Sequence, residues 1–129
     1  AAHMKALVVF ITLTLAGAAY ADSPTAPSPY AQIEGEWAVD LRPSLDDPSY
    51  SKPMVLMVAA DRTVTGSFYD SEILSGLAGT AQGRSCVAFR TTDGNGLYHS
   101  SACLTDGKMV GMTWSEGRKF VLPWTATRK

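Results

Sequence analysis

The sequence predicts an all-β fold: an antiparallel up-and-down eight-stranded β-barrel with one disulfide. Apolar residues alternate with a period of two from Ile33 onward, and turn-forming residues interrupt the alternation about every ten positions. No stretch carries a persuasive helical period. Eight strands with mostly tight connections suit a sheet closed on itself, which removes the exposed edges an open sheet would present.

The barrel occupies only part of the 129 residues. Residues 1–3, ahead of Met4, read as an expression scar. Residues 4–21 read as a secretory signal: Lys5, an apolar run over 6–19, and the small-x-small end Ala19-Tyr20-Ala21. That run falls short of the roughly 20 residues a membrane span needs, which favours a cleaved signal over a retained anchor. The expected location is secreted or periplasmic, with no stable membrane span after cleavage. Residues 22–33 form a proline-rich arm in which Pro24, Pro27 and Pro29 favour an extended spacer, either a plain linker or an arm that docks on a partner. The β-barrel domain is residues 34–129.

Strands are expected over 36–41, 54–60, 63–70, 73–82, 85–92, 97–105, 108–115 and 118–127. The fourth carries Gly76 and Gly79 and could instead be a loop. Residues 42–52 form a long irregular connection that is either solvated or laid over a barrel mouth. In an exported protein Cys86 and Cys103 read as a disulfide rather than as metal ligands or a catalytic thiol. Register supports this. A turn at residues 93–96 pairs Thr92 with Leu97 and, further along, sets Cys86 directly opposite Cys103, near the separation a bridge requires. Two-residue turns at Asp106-Gly107 and Glu116-Gly117 then chain the last four strands into one sheet.

That sheet has an apolar inner face. Its expected layers are Ser85, Leu104, Met109 and Trp124; then Val87, Ala102, Gly111 and Leu122; then Phe89, Ser100, Thr113 and Phe120; and last Thr91, Tyr98, Ser115 and Arg118. Polarity rises toward one mouth, where hydroxyls converge beside Phe89 and Phe120. Apolar walls with a few converging hydroxyls can hold one small uncharged or amphipathic molecule. A buried hydroxyl without a partner costs about 1 to 3 kcal/mol, so these groups need a ligand, water or one another. Ser100 bonding to Thr113 at a wet barrel end is the competing expectation. On the outer face, Met112, Trp114 and Val121 form an apolar cluster that reads either as a partner or subunit interface or as a surface covered by the arm around Pro29, Tyr30 and Ile33.

Charge and motifs exclude other functions. A formal net charge of −1 gives no field to attract nucleic acid, and two cysteines are too few for a four-thiolate zinc site. The sequence contains no nucleophile elbow, phosphate loop, dinucleotide fingerprint or Cys/His metal spacing, so no catalytic residue and no cofactor are expected. His99 is expected on the outer face between Arg90 and Trp114. Asp70 and Glu72 form an alternate-position acid pair of the kind that is usually solvated.

Several short motifs resemble the avidin and streptavidin family of eight-stranded barrels. They are Gly35-Glu36-Trp37, the stretch Thr65-Gly66-Ser67-Phe68-Tyr69-Asp70-Ser71, Thr113-Trp114-Ser115 and Pro123-Trp124-Thr125. The resemblance implies a barrel and places Phe68, Asp70, Thr113 and Trp124 near a pocket that in this family holds biotin. Together with the layer argument it gives the expected ligand-binding set: Phe68, Asp70, Phe89, Thr91, Tyr98, Ser100, Thr113, Phe120 and Trp124. The sequence therefore points to a small-molecule binding barrel of the cell envelope, with a protein-interaction module acting through the arm or the Trp114 face as the alternative.

Overall fold

The computed structural model describes residues 28–129, together with the isolated Val9 and Ile11. The expected scar and signal segment, apart from those two residues, and the first part of the arm lie outside the described residues. The strands are β1 (Gly35–Asp40), β2 (Ser51–Val58), β3 (Thr63–Phe68), β4 (Ser71–Glu72), β5 (Leu74–Ala81), β6 (Arg84–Thr92), β7 (Leu97–Thr105), β8 (Lys108–Ser115) and β9 (Phe120–Arg128). Each long strand pairs antiparallel with its neighbours in sequence, and β1 also pairs with β9, setting Trp37 opposite Arg128 and Asp40 opposite Thr125. The result is a closed eight-stranded antiparallel barrel. The two-residue β4 is an appendage on the end of β3.

Local chemistry explains where the strands differ from expectation. The second strand begins at Ser51 and runs through Pro53, which lies opposite Ala38; the Pro53 carbonyl accepts the Tyr69 N–H at 3.2 Å, where β3 is already turning. The third ends at Phe68 because Tyr69 and Asp70 take φ of 52° and 63°, the left-handed pair of a tight hairpin turn. The uncertain fourth strand exists as β5, with a bulge between Leu74 and Leu77. Gly76 sits so close to β3 that a Cβ there would meet the Val64 carbonyl oxygen at 2.4 Å, so the glycine permits this contact.

The Cys86–Cys103 disulfide is present, and its two residues pair across β6 and β7 as expected. The turns at residues 93–96 and 106–107 also give the expected registers. The last hairpin does not. Its turn takes four residues, 116–119, so Ser115 pairs with Phe120 and Gly111 with Trp124. Ser115 Oγ accepts the Arg118 N–H at 3.1 Å, and Lys119 takes φ of 55°. A slip of two residues keeps every side chain on its face but changes its neighbours. The expected layer of Gly111 with Leu122 is therefore corrected to Gly111 with Trp124, Phe120 joins Thr91, Tyr98 and Ser115, and Arg118 moves into the turn. The match is steric: a Cβ on Gly111 would meet Trp124 Cη2 at 2.6 Å, so the glycine makes room for the indole.

The core fills the lower and middle barrel, with Ile33, Trp37, Met54, Leu56 and Met109 wholly enclosed. Residues 28–33 turn back beneath the barrel and contribute Tyr30 and Ile33 to that core. Trp37 Nε1 donates to the Ile33 carbonyl at 2.9 Å. The Arg128 guanidinium lies 4.4 Å from the Trp37 ring centroid and donates to the carbonyls of Gln32 and Glu34. One end of the barrel is thus sealed by its own N-terminal turn.

Candidate functional site

The opposite end is open. Between the two ends the inner face changes from apolar to mixed because β6, β7 and β8 place Thr91, Ser100, Thr113 and Ser115 on inward positions, all four buried. Above them lies a cavity of about 320 Å³. That volume is at the lower end of the range for small-molecule sites. Its lining mixes apolar Leu41, Phe68, Phe120 and Leu122 with polar Thr91, Thr113, Tyr98, Asp93 and Arg118, Leu122 standing beside Thr113 on the neighbouring strand; Tyr50, Tyr69 and Ser71 complete the rim.

Hydrogen bonds fix the floor. Trp124 Nε1 donates to Thr113 Oγ1 at 2.9 Å, and Thr113 Oγ1 bonds with Ser100 Oγ at 2.8 Å. The expected Ser100–Thr113 bond is therefore present, and the cavity lies above it. An indole and two hydroxyls bring three hydrogens to two bonds, which leaves one hydroxyl hydrogen of the pair for a further acceptor. Thr91, 4% exposed, adds another hydroxyl to the wall. Phe68 stacks between Phe89 and Trp124, at centroid separations of 5.5 and 5.4 Å, and makes the floor rigid.

The rim is held by two polar clusters. Asp93 Oδ2 accepts from Tyr98 Oη and from Arg118, each at 2.7 Å, and Oδ1 accepts the Asn95 N–H at 2.9 Å. The Tyr98 hydroxyl, then the Asn95 amide and the Arg118 charge, hold the Asp93 carboxyl below its ordinary value, and the same bond pushes the Tyr98 phenol up. Across the mouth the Tyr50 and Tyr69 hydroxyls bond to each other, which raises the Tyr50 phenol. The Lys52 ammonium stands 5.1 Å from the Tyr69 ring centroid and 5.9 Å from that of Tyr50.

Of the expected ligand residues, Phe68, Thr91, Tyr98, Thr113 and Phe120 line the cavity. Phe89, Ser100 and Trp124 lie beneath it as its buried support. Asp70 is outside: it belongs to the tight turn between β3 and β4 and is exposed. The expected ligand set omits Leu41, Tyr50, Tyr69, Ser71 and Asp93 from the lining, and also Arg118 and Leu122, which the expected layers had nonetheless placed on the inner face. Leu41 and Tyr50 flank the long connection, and Leu41 N donates to the Tyr50 carbonyl, so that connection springs from the mouth itself.

Met112, Trp114 and Val121 lie on the outer face, 46%, 44% and 58% exposed, with Trp114 opposite Val121 and the His99 ring 5.0 Å from that of Trp114. Arg90 pairs with His99 beside them. Tyr30 and Ile33 do not cover this face, being buried in the core instead. Among the described residues no group of three His, Cys, Asp or Glu side chains is placed to hold a metal ion, and no helix is long and apolar enough to cross a membrane. Neither the protein-family models, the curated proteins nor the solved structures give a match to this chain.

Proposed function

We propose that the protein is a binding barrel of an oxidising compartment, secreted or periplasmic, that holds one small amphipathic molecule in its open mouth. The cavity of about 320 Å³ carries this reading, because its lining combines apolar side chains with the hydroxyls of Thr91 and Thr113. The apolar side chains supply burial and the hydroxyls supply orientation. Among the described residues the lower end is sealed by residues 28–33, which leaves the mouth open to a ligand. A disulfide on the outer wall suits export.

Titration with the neutral fluorophore N-phenyl-1-naphthylamine tests the reading. Saturable binding is expected, with amide shifts in NMR confined to Thr91, Tyr98 and Leu122, and Leu122→Trp should abolish it without unfolding the barrel. Absence of binding both by this probe and by its sulfonated analogue 1-anilinonaphthalene-8-sulfonate, or equal binding by Leu122→Trp, refutes it.

A second reading is favoured by the apolar stripe over Leu77, Met112, Trp114 and Val121. This face would join another protein or a second copy of the chain. Sedimentation of wild type and Trp114→Ala tests it; a monomer in both at high concentration refutes self-association.

A further inference from the structure

The rim holds a cation with no carboxylate partner among the described residues, and we propose that Lys52 selects ligands bearing a single oxyanion group. Such a ligand is an amphipathic carboxylate or sulfonate whose apolar body fills the cavity. The inference rests on the ligand-binding reading of the mouth and names the class of ligand.

Four cations belong to the segments around the mouth, and one of them, Lys119, stands exposed in the 116–119 turn without an ion pair among the described residues. Arg42 is held by Asp40, with guanidinium contacts of 2.7 and 2.9 Å, and Arg118 is held by Asp93 at 2.7 Å. Lys52 forms neither pair. It continues the inward row of β2 set by Leu56 and Met54, opposite the buried Val39, and stands behind the two tyrosines rather than in the cavity lining itself. Its ammonium is held against the faces of Tyr50 and Tyr69, both of which line the cavity. Asp70, next to Tyr69 in the turn, forms no ion pair with it.

This corner carries several donors. Lys52 has three N–H groups, and the bonded Tyr50 and Tyr69 hydroxyls leave one O–H between them. A carboxylate or sulfonate leaving the cavity along the tyrosine rings would accept from both. Hydrogen bonds to a charged partner are about twice as strong as neutral ones. A neutral ligand leaves these donors unused.

Two fluorophores separate the cases: 1-anilinonaphthalene-8-sulfonate and N-phenyl-1-naphthylamine share one aromatic body and differ by the sulfonate. Each is titrated into the full chain as wild type, Lys52→Met and Lys52→Arg, with amide shifts of Thr91 and Leu122 marking the mouth. The wild type should prefer the sulfonate by about tenfold, a ratio expected of one charge-assisted contact. Lys52→Met should lose that preference while still binding the neutral probe, and Lys52→Arg should keep it. If Lys52→Met does not fold, Lys52→Gln gives the same comparison. Equal affinities in wild type, or a preference that survives removal of the charge, overturn the anion assignment and leave the binding reading standing. Failure of both probes to bind in the mouth overturns both.

Discussion

Replacing Thr113 with valine removes one hydroxyl at almost constant volume and tests the floor of the cavity directly. Thr113 Oγ1 takes part in two bonds, from Trp124 at 2.9 Å and with Ser100 at 2.8 Å. Two such bonds contribute about 0.5 to 1.5 kcal/mol each, and the buried indole N–H left without an acceptor moves the loss toward the upper end. The extra methyl group returns about 0.8 kcal/mol. The net cost is about 2 kcal/mol, which lowers Tm by about 8 to 16 °C in a domain of this size. Thr113→Ser keeps the hydroxyl and loses only a methyl, so it should cost about 1 kcal/mol. Urea unfolding of both variants, combined in a cycle with Trp124→Phe, measures the bond itself, and a coupling of about 1 kcal/mol is expected. If Thr113→Val costs no more than Thr113→Ser, or its effect simply adds to that of Trp124→Phe, the hydrogen-bonded floor is not what orders this end of the core.

Further outcomes follow from other parts of the barrel. Gly111→Ala brings a Cβ within 2.6 Å of both Trp124 Cη2 and the Ser101 carbonyl oxygen, so thermal unfolding should show a loss of about 1 to 3 kcal/mol; Trp124→Phe should rescue it only in part, because the carbonyl cannot move away. Replacing Cys86 and Cys103 together by alanine opens a loop of 17-residue separation and should cost about 3 kcal/mol in denaturant titration while the strand signal in circular dichroism persists. Asp93 is held below its ordinary value of 3.8, so its contribution is present above that pH and is lost as pH falls through the lowered value. Asp93→Asn should accordingly flatten the acid limb of the stability curve below about pH 4, and an unchanged limb would show that the Tyr98 and Arg118 contacts do not form in solution.

The second half of the barrel was legible because its information is local. Alternation assigns faces, and a turn of fixed length assigns partners, so the opposition of Cys86 and Cys103 follows from Asp93-Gly94-Asn95-Gly96 alone. The same reasoning failed at Glu116-Gly117. A two-residue and a four-residue turn leave every side chain on the same face, and what separates them is whether the Trp124 ring lands opposite Gly111 or the smaller Leu122 does. That is a question of packing volume across the barrel, to which alternation is blind. Asp70, placed near the pocket by the family resemblance, lies instead in the tight turn after Phe68, where its left-handed backbone takes the chain off the strand.

By itself, the sequence determined the class of fold, the inner and outer faces, the disulfide and the hydroxyl-bearing wall contributed by β6, β7 and β8. The faces, the disulfide and the hydroxyl-bearing wall depend on residues in the same or successive hairpins, where spacing fixes geometry. Tertiary structure alone decided the cavity. Leu41, Tyr50, Phe68 and Tyr69 come from the first half of the chain, and only closure of β1 on β9 and of β3 on β5 carries them across from Thr91, Thr113 and Leu122. The same closure, with residues 28–33 packed beneath, determines which end is sealed and which is open. Hairpin spacing cannot reach across a barrel. The opposed wall of a pocket is therefore set by how the sheet curves and what fills it, and not by any local pattern.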